Sequence, residues 1–198
     1  MTYSKFKVCR RISENVWQAK KLTPKQNNLI RKLKKNINRK QSDFSIKLQN
    51  LRKFSIFYGN LPINRMKDNL TYTYLDKQKS LLMNLETRLD VILVRIHFCS
   101  TLYTARQLIT HGKICVNFNK VDIPGFSVRN GDVISVMRSD LNFVKFLIKQ
   151  HQDKSRNWAG FGERAYHFEV NYKTLNAILL FEPSEIHFPY KIELNLLF

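Results

Sequence analysis

Apolar residues recur at helical spacing in five stretches of this chain and form short alternating or β-branched runs in several others. Leu29, Ile30, Leu33 and Ile37 share one helical face, and the four residues ahead of that run read as a start signal. Thr23 caps, Pro24 suits the first helical position, and Gln26 completes a capping box. A second helix begins at Ser42-Asp43, both residues favoured at a helix N-terminus, and repeats Phe44, Leu48, Leu51 and Phe54 or Ser55 on one side. Tyr58-Gly59-Asn60-Leu61-Pro62 ends it, and Phe54, Phe57 and Tyr58 read as core. A third helix is amphipathic through Leu89, Ile92, Leu93 and Ile96 and is broken by His97-Phe98-Cys99. Ser100 is the expected cap of a fourth. Its Ala105, Leu108 and Ile109 face inward, its Tyr103, Arg106, Gln107 and Thr110 face outward, and Gly112 stops it. A fifth runs from Ser139-Asp140 to residue 150 through Leu141, Val144, Phe146, Leu147 and Ile148.

Strands are predicted at Ile114 and Val116, at Val133–Val136, and over 166–172 and 177–181. Pro124-Gly125 and Asn130-Gly131-Asp132 are turn signals. Residues 1–22 are basic with scattered apolar positions and predict no element. Residues 63–80, with alternating Thr71, Tyr72, Thr73 and Tyr74, read as a connector, and 151–165 as a polar loop. Pro183 and Pro189 punctuate the end, and the apolar run 192–198 is expected to dock.

Charge changes this picture from a fold to a partner. The chain carries 34 Lys and Arg against 15 Asp and Glu, a net +19. Such an excess repels itself until an anion neutralises it, and nucleic acid is the first such partner to consider, a membrane surface the second. The excess is uneven: residues 1–60 hold 16 basic side chains and only Glu14 and Asp43, a net +14. On the first helix Arg31, Lys32, Lys34, Lys35, Arg39 and Lys40 surround the apolar face with no acidic residue among them, which points to phosphate contact. Arg10, Arg11, Lys47, Arg52 and Lys53 extend the same basic third. No apolar run approaches the roughly 20 residues that span a bilayer. Cys9, Cys99 and Cys115 are too few and too far apart for a disulfide frame or a zinc site, and His97, His151, His167 and His187 lack metal-ligand spacing. No Ser-His-Asp order, Gly-rich phosphate loop or paired-carboxylate site is present, and no cofactor is implied.

The order Ser100-Thr101, Ala105-Arg106-Gln107-Leu108-Ile109, His111-Gly112-Lys113-Ile114, Val116-Asn117, Lys120-Val121 and Gly131-Asp132-Val133-Ile134 resembles the S4-type RNA-binding domain. Ser42-Asp43-Phe44 through Leu51-Arg52, Tyr58-Gly59, and Phe168-Glu169-Val170-Asn171-Tyr172 with Leu175 are similar to the segments flanking that domain in the ribosomal protein S4 family. Phe6-Lys7-Val8-Cys9-Arg10-Arg11, Gly59-Asn60-Leu61-Pro62-Ile63 and Asn171-Tyr172-Lys173-Thr174-Leu175 resemble its plant and algal mitochondrial branch.

The resemblance implies an α+β fold. A basic N-terminal helical domain would occupy residues 1–87, and an inserted S4-type RNA-binding domain of two helices plus short strands residues 88–137. A strand-rich C-terminal segment, 138–198, would pack back on the helical part. It also implies a structural, non-enzymatic constituent of the mitochondrial small ribosomal subunit, without membrane contact. Such a protein binds small-subunit ribosomal RNA at a multi-helix junction early in assembly. It sits beside other small-subunit proteins, near where messenger RNA enters. An organelle gene would need no transit peptide. The RNA-facing set in the domain would be Arg106, Gln107, His111, Lys113, Lys120 and Arg129, with His111 either a phosphate donor or a helix C-cap.

Departures from the family pattern carry expectations of their own. Some members bind zinc through an N-terminal cysteine cluster; here only Cys9 stands, so no metal is expected. Leu102 occupies a usually basic position, which removes one RNA contact. Asn117-Phe118-Asn119-Lys120 replaces an Asn-Gly-Lys turn, with Asn119 expected to take the left-handed conformation that Gly would supply. Two other readings stand beside the ribosomal one. Arg88-Leu89-Asp90 matches a pseudouridine synthase triplet with a catalytic Asp, although here it lies in the domain's first helix and a catalytic domain is lacking. A free S4-type factor that rescues stalled subunits is the other.

Overall fold

The structure, a computed structural model, describes residues 5–13, 22–37, 42–62, 77–155 and 166–181. Arg39, Lys40, Thr71–Tyr74, residues 156–165, Pro183, Pro189 and the apolar end 192–198 lie outside the described residues, as do the side chains of Arg11 and Lys35. The chain divides into two compact units, one holding the described residues up to Pro62 and the other those from Lys77 onward.

The first unit is helical. Helix α1 spans Lys5–Ile12, α2 Pro24–Ile37 and α3 Asp43–Phe57, and α1 packs on both of the others. Helix α1 lies where the residue pattern predicted no element, because one apolar turn alone carries little periodic signal. The start of α2 is the predicted capping box: the Gln26 amide donates to Thr23 Oγ1 at 3.4 Å, and the Thr23 amide donates to Gln26 Oε1 at 3.2 Å. Ser42 caps α3, accepting from the Ser45 amide at 3.4 Å. At the other end Gly59 adopts φ 71°. The Gly59 amide donates to the Ile56 carbonyl and the Asn60 amide to that of Ser55, the paired bonds of a Schellman stop. Phe54, Phe57 and Tyr58 are buried, with Tyr58 edge-on to both phenylalanines at 5.0 and 4.9 Å. Phe44, expected on that same face, is 74% exposed. It sits in the first turn of α3, well ahead of the first buried residues, Asn50 and Phe54.

The second unit is α+β. Helix α4 spans Lys77–Glu86, beginning inside the stretch expected as a connector, and packs on α5, Leu89–Arg95. Helix α6 spans Leu102–Thr110 and lies against α5. Strands β1 (Ile114–Val116), β2 (Asn119–Lys120), β3 (Val133–Val136), β4 (Phe168–Asn171) and β5 (Asn176–Leu179) form an antiparallel sheet in the order β2-β1-β3-β5-β4. A 3-10 turn, Arg138–Asp140, leads into α7, Leu141–Ser155. Helix α7 continues beyond residue 150 because His151-Gln152-Asp153-Lys154 contains no glycine or proline to stop it. Helix α5 is not one-sided: every residue from Leu89 to Val94 is buried, Asp90 included. It ends with His97 at φ 61°, whose amide donates to Val94 while that of Phe98 donates to Leu93.

The C-terminal hairpin extends the module's own sheet. Strand β3 has β1 on one edge and β5 on the other, with Val133, Ile134 and Ser135 opposite Ile178, Ala177 and Asn176. The described strands of 138–198 complete the sheet. A strand has two hydrogen-bonding edges, and the residue pattern does not say what fills the second. Tyr172 follows β4, and its hydroxyl donates to the Ile96 carbonyl at 3.2 Å, tying the hairpin to the end of α5.

Two of the buried polar groups in this unit, Glu86 and His167, bear on its stability. Glu86 is buried and accepts from Arg95 at 2.9 and 2.7 Å in a bidentate pair. Arg95→Met leaves that carboxylate without its guanidinium and is expected to cost about 3–5 kcal/mol, measured by denaturant unfolding. His167 is buried between Phe168 and Tyr166, and neither ring nitrogen has a hydrogen-bond partner among the described residues. Burial holds its pKa below the ordinary value; nearby Glu86 opposes this shift and Arg95 adds to it. The unfolded chain therefore takes up a proton that the folded chain resists. This contribution is complete above roughly pH 6.5 and is lost as pH falls below it. The melting temperature is expected to drop between pH 7 and 5.5, and in His167→Phe that slope should flatten; an unchanged slope would assign it to another group.

Candidate nucleic-acid interface

The module is held by its ion pairs before it presents any. Asp90 has no exposed side-chain surface. Its Oδ1 accepts from Arg88 Nε at 3.1 Å, and its Oδ2 from Arg88 Nη2 at 3.1 Å and Arg106 Nε at 2.8 Å. Arg106, expected to face outward toward RNA, thus spends one N–H edge inside and keeps its side chain partly exposed, with its guanidinium 5.9 Å from the Tyr103 ring centre. The same first turn of α5 pins a loop: the Leu89 amide donates to Phe126 at 2.9 Å and the Asp90 amide to Pro124 at 3.2 Å. The Arg-Leu-Asp triplet is therefore an anchor, its carboxylate closed off by two guanidinium groups.

Helix α6 is capped by Thr101, one residue after the Ser100 expected from sequence; its hydroxyl accepts from the Thr104 amide at 3.2 Å. Both residues are competent caps, and the chain direction out of Cys99 selects between them. Leu102 is buried beside Ala105, Leu108 and Ile109, so its position serves the core. Gln107 and His111 are exposed four residues apart, on one face. His111 is the C-cap residue, φ −81°, so its backbone ends the helix while its imidazole stays in solvent. Gly112 follows at φ 65°, with its amide on Ile109 and that of Lys113 on Leu108. The left-handed φ is what favours glycine here; a Cβ would also meet the Cε of Lys120, the flexible end of a side chain that can move aside.

The strand ends are interlocked by residues of the signature itself. Asn117 Nδ2 donates to Asp132 Oδ1 at 2.8 Å, and the Val133 amide donates to Asn117 Oδ1 at 2.9 Å. The Arg129 amide donates to Asp132 Oδ2 at 2.8 Å, which leaves the Arg129 side chain exposed above a fixed turn. The β1–β2 connection has two residues, with Val116 opposite Asn119. Its left-handed residues are Asn117 (φ 49°) and Phe118 (φ 66°), not Asn119, which is in strand β2. Two consecutive positive φ values make the type I′ turn that matches strand twist. Phe118 at its tip is 87% exposed.

Of the other expected contacts, Lys113 pairs with Asp140 at 2.8 Å and lies 4.5 Å from the Phe143 ring centre, which gives it a structural role as well. The hydrogen bonds from Lys113 and then Ser139 hold the Asp140 carboxyl below its ordinary pKa. Gln107, His111, Lys120 and Arg129 are exposed in the module, and Arg10, Arg31, Lys32, Lys34 and Arg52 are exposed on the helical unit, where Lys47 and Lys53 are half-buried. These two sets belong to separate units. Cys9, Cys99 and Cys115 are buried, and burial pushes the Cys99 thiol up to about 12. Among the described residues no His, Cys, Asp and Glu cluster has the makings of a metal site, and no helix is long and apolar enough to cross a membrane.

Comparison with known proteins matches this geometry. The family model described as the S4 domain matches residues 87–134, the span from the Asp90 anchor to β3. The chain is 57% identical to small ribosomal subunit protein uS4m of Marchantia polymorpha over the whole length of both. It is 40% identical to uS4m of Arabidopsis thaliana over 69% of this chain and 39% of that protein. It is 32% identical to uS4 of Caulobacter vibrioides over 98% of this chain and 94% of that protein. A likeness that runs through the basic helices, the anchored module and the C-terminal hairpin alike means that the chain belongs to the uS4 family of small ribosomal subunit proteins.

Proposed function

We propose that this chain is a structural constituent of the mitochondrial small ribosomal subunit that binds small-subunit ribosomal RNA directly and nucleates assembly around it. The observation that carries the proposal is the 57% identity to a mitochondrial small-subunit protein across the entire length of both chains. Physical support comes from charge: a net +19, of which +14 lies in residues 1–60, has no outlet in a protein of this size except a polyanion. Structured RNA is read mostly through phosphates and 2′-hydroxyls, and the two units offer two kinds of contact for that. Arg10, Arg11, Arg31, Lys32, Lys34, Lys35, Arg39, Lys40, Lys47, Arg52 and Lys53 supply the long-range attraction. Arg106, Gln107, His111, Lys113, Lys120 and Arg129 supply position, since each stands on backbone fixed by the Asp90 anchor, the Gly112 stop or the Asn117–Asp132 lock.

Neighbouring small-subunit proteins complete the site, and the messenger RNA enters close by. The reading is non-enzymatic, and the closed surroundings of Asp90 support it: a catalytic carboxylate needs access to substrate, and this one is fully buried by its partners.

Sedimentation tests the assignment. The protein is expected at one copy per mitochondrial small subunit and to stay bound through a high-salt sucrose gradient. Its absence from purified small subunits sinks the proposal, and loose, substoichiometric association points to a detachable factor. The electrostatic part has its own measurement. Charge reversal at Lys32, Lys34 and Lys35 is expected to weaken RNA binding and to lower the slope of log K against log salt by roughly 1 to 3. An unchanged slope means that this face is merely solvated.

A further inference from the structure

We infer that Phe118 stacks on an unpaired nucleobase of the ribosomal RNA; the inference rests on the RNA-binding reading above and adds to it a contact that charge alone does not supply. Three observations converge on this residue. Phe118 holds φ 66° at the second central position of a type I′ turn, where glycine is the unstrained choice. It is 87% exposed, more than any other large apolar side chain among the described residues. None of the ring contacts among the described residues includes it. A bulky residue in this conformation costs conformational energy, and no ring packing among the described residues offsets that cost. Backbone strain without an internal return marks a position held for something outside the fold.

The surroundings select the partner. Asn119 and Lys120 follow in the strand, both exposed, and the Lys120 side chain runs back over Gly112. The carboxylate oxygens of nearby Asp132 are both engaged, one by Asn117 and one by the Arg129 amide; Asp122 is the other acidic group close along the chain, and it lies past the end of β2. A ring flanked by amides and a lysine is a poor match for an apolar protein pocket. It is a good match for a splayed base, with the ring on the π-face and the cation on the adjoining phosphate. The turn is also rigid: Asn117 is tied to Asp132 and to the Val133 amide, so the ring is presented with little left to order on binding.

Binding of the full-length chain to an in vitro transcript of the mitochondrial small-subunit ribosomal RNA tests this, with Phe118→Gly, Phe118→Leu and Phe118→Trp beside the parent. Phe118→Gly and Phe118→Leu should weaken binding roughly 5- to 150-fold with the salt slope unchanged, since stacking carries no counterions. Phe118→Gly should melt no lower than the parent, because glycine suits the turn, so weaker binding cannot be assigned to unfolding. Phe118→Trp should bind like the parent, and its added emission, taken against Trp17 and Trp158 of the parent, should be quenched on RNA. Parent-like affinity of Phe118→Gly, or an unquenched added signal at saturating RNA, overturns the stacking contact and leaves the RNA-binding reading intact. A change in that signal only on adding other small-subunit proteins overturns it in favour of a protein pocket. Failure of the parent to bind in a salt-dependent way defeats both.

Discussion

One fully buried carboxylate, Asp90, joins Arg88 just before α5 to Arg106 in the middle of α6, and the first turn of α5 pins the loop that crosses from β2 toward β3. A lone buried carboxylate would cost several kcal/mol, and two guanidinium donors turn that penalty into a constraint on how the two helices meet. The way α6 meets α5 depends on it. The angle of α6 sets where Gln107 and His111 point, and Gly112 then turns the chain into β1 beneath Lys120. Glu86 and Arg95 repeat the device between α4 and the end of α5. In a chain with 15 acidic residues against 34 basic ones, Asp90 and Glu86 serve as internal anchors, and each commits at least one arginine along with it.

The residues that make the module recognisable do mostly structural work. Asn117 and Asp132 lock two strand ends, Gly112 takes a left-handed φ under a crossing lysine, Thr101 caps, and Leu108 and Ile109 fill the core. The exposed positions between them, Gln107, His111, Lys120 and Arg129, leave their side chains to solvent. Leu102 illustrates the trade: an apolar side chain at a usually basic position buries against α6's own core face. Phe118 is the opposite case, an apolar residue placed where no core exists to receive it.

Helix starts and stops were legible because capping is local chemistry. Thr23 with Gln26, Ser42 with Ser45, Gly59 with Ile56, and Asn60 with Ser55 each involve residues at most five apart. Strands β4 and β5 were legible as separate strands through their local residue pattern, while their pairing was not. Less was legible where two local answers were equally good, as at Ser100 and Thr101, or where a helix lacked an end signal, as in α7. The candidate site divides the same way. Exposure of Gln107 followed from helical periodicity, and His111, Lys120 and Arg129 were singled out through the family resemblance. The ion pairs of Arg106 with Asp90 and Lys113 with Asp140 span 16 and 27 positions and left no periodic trace.

By itself the sequence determined the class of partner, the α+β character and most of the local elements, since charge, hydrophobic period and capping are all properties of neighbouring residues. Tertiary structure alone decided which side of β3 the C-terminal hairpin would join, which cations were already committed to carboxylates, and which turn residues took positive φ. Each of those depends on a partner far along the chain. Only packing brings such partners within the roughly 3 Å at which a hydrogen bond or an ion pair has its effect.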